Sequence, residues 1–174
     1  MGLTDRLLID PAHEGDPADA PDHLIAGLLP ETPDGEFVPN PGYLPSPRAM
    51  GWPEPLSTLE GALQDFAAGH VSRAVLYGVI LHSPVHLLMD GDRVAVVEDA
   101  GVALLAVHTH ESFAPEGHTL IPGRALPALP DDVVLAFDPG RASSFELPVT
   151  ILRAYASEIA AIVPETDTAP EDSK

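Results

Sequence analysis

The stretch AVHTHESFAPEGH places His108, His110, Glu111 and His118 within eleven residues. The chain has no cysteine, so disulfides, thiol catalysis and Cys-based zinc or iron–sulfur sites are excluded, and a metal would have to sit on His and carboxylates. If VALLAVHT is a strand, His108 and His110 share one face, because strand side chains alternate with a period of two. His118 would then complete a three-imidazole site with Glu111 as base, the equipment of a small metal-dependent hydrolase. Against this stands the spacing, which lacks the HExxH helix that makes such a set specific. Polar strand-end and loop positions account for the same four residues. We therefore assign no metal, no cofactor and no catalytic residue, and keep the hydrolase as an alternative to a non-enzymatic protein.

A second candidate is Trp52, the only tryptophan, inside SPRAMGWPEP. In so proline-stiffened a segment the indole folds back most simply over a sheet or helix, burying apolar area worth about 2 to 3 kcal/mol. The functional alternative is an exposed anchor for a partner. Other signatures are missing: there is no GxSxG, P-loop or GxGxxG. The four acids of DGDRVAVVED are interrupted by a strand and so do not form a calcium loop. His70, His82 and His86 read as structural polar residues.

The totals limit the partners. The chain has 174 residues, 45% of them hydrophobic, enough for one core, while only 5% are aromatic. Its formal net charge is −19, from 27 acids against 8 Lys and Arg. Nucleic acid and anionic membranes require clustered cations and are expected to be excluded. A basic protein or a cation is the electrostatically suitable ligand. The N-terminus lacks the apolar core of a signal peptide, and no window approaches the ~18 apolar residues of a membrane span, so a cytoplasmic protein without membrane insertion is expected.

The elements follow from patterning. Residues 1–55 hold eleven of the twenty prolines and read as extended and loop-rich. Within them, HLIAGLLP and GEFVPN flank the turn signal ETPDG, which predicts a β-hairpin over Leu24 to Asn40. The run PNPGYLPSPRAMGWPEP must lie on a surface, since each Pro removes a backbone donor. Ser57 and Glu60 stand in capping-box spacing before Leu59, Ala62, Leu63 and Phe66, which predicts an amphipathic helix. VSRAVLYGVIL continues as a second. VHLLMD, RVAVVED and VALLAVHT read as three strands linked through DGD and AG. TLIPG and VVLAFD are two more, around a short turn or helix at RALPALPDD. LPVTILRAYASEIAAIV closes the chain as a helix, with Pro148 in its first turn. The expected fold class is α/β (α+β): a single domain with a central mixed β-sheet flanked by helices, an N-terminal β-hairpin and a Pro-rich loop. The expected boundaries are an acidic, partly extended segment at 1–22, the domain at 23–163 and a disordered acidic tail at 164–174.

The order of these segments resembles a known family. YLPSPRAMGWPEPLSTLEGALQDFAAGH looks like the type VII secretion system-associated proteins, whose pattern has PSP..LGWPEP before a helix. The later part, through LIPGRALPALPDDVVLAFDPG and SFELPVTILRAYA, resembles the SseB N-terminal-domain family. The likeness covers about residues 37 to 156. It departs at VHTHESF, where those sequences tend to have Phe-Thr-Ser, and at AFDPG, where Asp138 stands in place of an Asn at a turn that either residue can support. The resemblance implies a protein partner, a component, substrate or regulator of type VII secretion, and carries no catalytic residue. A homodimer pairing exposed strand edges is a further alternative.

Overall fold

Ser57 adopts extended backbone and its side chain accepts a hydrogen bond from the Glu60 N–H, so α1 begins there and runs over Thr58–Ala67. Glu60 reaches back to the Leu56 N–H at 2.6 Å, one residue before the Ser57 N–H that a reciprocal cap would use. These elements belong to a computed structural model that describes residues 7–30, 36–91, 93–99 and 101–162. Its contacts group into two compact units, Met1–Val79 with Gly140–Ser144, and Ile80–Pro139 with Phe145–Lys174.

In the first unit, β1 (Leu7–Ile9), β2 (Ile25–Leu28) and β3 (Val38–Pro39) form an antiparallel sheet in that order. The β2–β3 pair is the predicted hairpin, with Gly27 opposite Pro39 and Leu28 opposite Val38. Its turn residues, 31–35, lie outside the described residues. Gly27 is required by close approach: an added Cβ would sit 2.4 Å from the Val38 carbonyl oxygen. The pairing of Leu7–Ile9 with β2 was not anticipated, since a three-residue strand carries too little periodicity to read. Leu59 and Leu63 of α1 are buried, as are Leu76 and Tyr77 of α2 (Arg73–His82).

The second unit is built on a seven-stranded mixed sheet. Its strands are β4 (Pro84–Asp90), β5 (Arg93–Val94), β6 (Val97–Asp99), β7 (Val102–His108), β8 (His118–Pro122), β9 (Val133–Phe137) and β10 (Phe145–Pro148). The principal order is β10-β9-β7-β4-β5, with β6 on β7 and β8 on β4. Among the described residues only β7 and β9 pair in parallel, Ala103 facing Val133 through Val107 facing Phe137. Val85, Leu87, Leu105, Val107, Leu135 and Phe137 are buried at every second position, the signature of one covered face. α3 (Val149–Ile162) packs on β9, β10 and the 3-10 turn Gly123–Ala128 through Val149 and Leu152. At Gly123 a Cβ would lie 1.8 Å from the Ile80 carbonyl oxygen, and its N–H bonds Ser83 O at 2.8 Å, so only glycine fits.

The fold is α+β with helices flanking a mixed sheet, as the patterning indicates. Two local readings are corrected. RVAVVED is two short strands instead of one, because the run pairs first with β4 and then with β7. Pro148 ends an edge strand instead of opening the last helix; Phe145–Pro148 pairs with β9, and the helix begins at Val149. The tail at 164–174 lies outside the described residues. No helix among the described residues is long and apolar enough to cross a membrane.

Candidate functional site

The Pro-rich segment of the first unit has almost no ladder to hold it, so its backbone is fastened point by point. Asn40 Nδ2 donates to the carbonyls of Asp22 and Ile25, both at 2.8 Å. The Leu44 N–H bonds His23 O, and His70 Nε2 donates to Pro45 O at 3.1 Å. Gln64 Nε2 donates to Pro53 O at 3.1 Å, tying the far end of the segment to α1.

The centre of this fastening is Asp10, only 2% exposed. Its carboxylate accepts from the Ala12 and Ser46 N–H groups, from Ser46 Oγ and from the Tyr43 hydroxyl. Burial alone would raise the Asp10 pKa, but the hydrogen bonds from Ser46, Ala12 and Tyr43 outweigh it and hold the group below its ordinary value. Burial and the nearby carboxylate push the Tyr43 hydroxyl up in turn.

What this segment displays is Trp52. The indole is half-buried and lines two cavities in the first unit. One, of about 440 Å³, is bounded by His23, Pro47, Arg48, Glu54, Asp65 and His70 among others. The second, of about 280 Å³, is bounded by Gly140, Arg141, Ala142 and Ser143. Trp52, Pro53 and Gln64 border both. Arg141 reaches the fully buried Glu60 at 2.8 Å and so ties the second cavity's wall to the capped end of α1. The same stretch carries the exposed apolar side chains Leu44, Met50 and Leu56.

In the second unit the strand ends gather the histidines without assembling them. His108 is the last residue of β7, with Nδ1 3.9 Å from Asp138 Oδ1. His110 lies beyond the strand and caps the turn Glu111–Phe113, accepting from the Ser112 N–H through Nδ1. His118, on β8, donates from Nδ1 to Pro115 O at 3.0 Å. His110 and His118 thus use Nδ1 in local hydrogen bonds, His108 Nδ1 lies beyond hydrogen-bond distance of Asp138, and Glu111 is exposed in its turn. Among the described residues no group of three or more His, Asp or Glu side chains is arranged to hold a metal ion. β7 ends at His108, so the strand face expected to carry both His108 and His110 stops before His110.

The histidine that the sequence reading sets aside as merely structural, and that the fold brings to the others, is His86. Register places it opposite His108 on β7 and opposite Leu120 on β8, and its ring meets His118 edge-on at 4.8 Å. Its Nδ1 is buried without a hydrogen-bond partner among the described residues. Burial, then the neighbouring His118, lowers the His86 pKa. Burial likewise lowers that of His108, against the opposing pull of Asp138. Alternation in PVHLLMD shows that His86 faces away from Val85 and Leu87; only the pairing of distant strands shows which histidines it meets. Asp138 itself is buried at φ +40° and accepts from the Thr109 N–H at 2.9 Å and from Thr109 Oγ1 at 2.6 Å. Asp is among the few residues other than glycine that tolerate that backbone.

Compared with known proteins, the chain matches no family model, no curated protein and no solved structure.

Proposed function

We propose that the protein is a non-enzymatic, cytoplasmic interaction module that binds a component, substrate or regulator of type VII secretion through the surface around Trp52. The observation that carries the reading is the indole itself, half-buried between two cavities on a segment fixed from beneath by Asp10. A large, low-entropy aromatic on a pre-ordered support is the kind of group that dominates binding energy at interfaces. The link to secretion rests on the likeness of PSPRAMGWPEP and the helix after it to the secretion-associated pattern. Affinity capture from the native cell tests it, with Trp52→Ala alongside. A secretion component or substrate recovered by the natural chain and reduced tenfold or more by the variant is expected. Recovery of none, or equal recovery by both, would remove the proposal.

A further inference from the structure

Resting on that reading, we infer that the occupant of the Trp52 groove is an extended, Lys- or Arg-bearing segment of a basic partner. The shape speaks first. Two cavities of about 440 and 280 Å³ share Trp52, Pro53 and Gln64 as a common border, so one ligand filling both must run past the indole as a strand of chain. A compact small molecule would occupy only one.

Charge speaks second. The larger cavity is bordered by two carboxylates, Glu54 and Asp65, against one cation, Arg48. Arg48 is itself paired with Glu14 at 3.4 Å, and Arg141 of the second cavity with Glu60 at 2.8 Å, which leaves an acidic balance around the indole. The whole chain has 27 acids against 8 Lys and Arg, so long-range steering favours the same sign of partner. An ammonium or guanidinium passing over the indole face would gain a cation–π contact as well as the two carboxylates. Pro47, Pro53 and Pro55 give the rim a rigid apolar character, so the rim itself loses little freedom when an extended backbone lies on it.

The sole tryptophan makes the test direct, because its emission reports on the groove alone. The full chain is titrated with an acetylated and amidated Pro-Pro-Lys-Pro-Pro peptide, with its Arg counterpart and with a Glu counterpart, and binding is followed by Trp52 emission and by calorimetry. A saturable change with Lys or Arg is expected, at least tenfold weaker with Glu, weakened by salt and reduced several-fold in the double variant Glu54→Gln with Asp65→Asn. No saturable change, equal binding of the Glu peptide, or an unchanged double variant overturns the inference. Capture of a partner that depends on Trp52 together with a flat peptide titration would remove the basic occupant while leaving the interaction module standing.

Discussion

Asp10 and Asp138 are both buried carboxylates, 2% and 1% exposed, yet they sit in opposite kinds of surroundings. Asp10 gathers donors from two stretches, locally at Ala12 and across the chain at Tyr43 and Ser46, where the chain has little ladder of its own. Asp138 takes two bonds from the single residue Thr109, beside strands β7 and β9 that are already joined by a five-residue parallel register. In the Pro-rich segment of the first unit side chains, Asp10 foremost, do what the backbone ladder does in the second. A surface built on such a hub is ordered enough to present Trp52, and it is also open to damage at one position.

That contrast is broken most sharply at the hubs themselves. Asp10→Ala leaves buried Ser46 donors without an acceptor and should cost about 3 kcal/mol in denaturant unfolding. Asp138→Asn keeps an acceptor for the Thr109 N–H and a residue suited to positive φ, and should cost about 1 kcal/mol. Equal losses would show that the two carboxylates do the same job. Acid sharpens the difference: the Asp10 pKa is held below its ordinary 3.8, so its contribution is present above that value and lost as pH falls through the folded pKa.

Next comes Arg141→Ala, which leaves Glu60 fully buried without its cation and should cost about 2 kcal/mol, with Glu60→Gln recovering part of it in the double variant.

On the histidine face the expected effect is a slope instead of a step. His86 and His108 are both depressed below their ordinary 6.5, so the unfolded chain binds more protons in that interval. Their contribution is present above pH 6.5 and is lost as pH falls from there through the folded values. His86→Leu should flatten the fall in stability between pH 7 and 5 (about the range in which His titrates); an unchanged slope would assign the fall elsewhere. Smallest is Trp52→Ala, expected to cost about 1 kcal/mol or less because the indole is only half-buried, while abolishing partner capture.

Much of this architecture was legible in the residues. Ser57 and Glu60 announce the start of α1 because a cap is local chemistry; the Ser57 bond forms, while Glu60 takes the N–H of Leu56, one residue before the cap. DGD announces the β4–β5 turn in the same way. What failed was non-local. RVAVVED looks continuous because nothing in its own residues says that it changes partner strands midway. Leu147 and Pro148 look like the start of a helix because the pairing of Phe145–Pro148 with β9 is invisible from the run itself. Trp52 could be singled out as unusual, but the carboxylate that fixes its segment lies at Asp10, thirty-six residues from Ser46. The histidines were grouped by spacing along the chain, whereas register across β4, β7 and β8 decides which of them meet.

The most direct test places a photoreactive phenylalanine analogue at Met50, exposed beside the indole in sequence, and in a second protein at Val97, exposed on β6 of the other unit. Irradiation in the native cell should join a secretion component to the chain labelled at position 50 and not to the one labelled at 97. Adducts formed through position 97 alone would contradict the account, since the partner would then bind the sheet and leave the tryptophan surface bare.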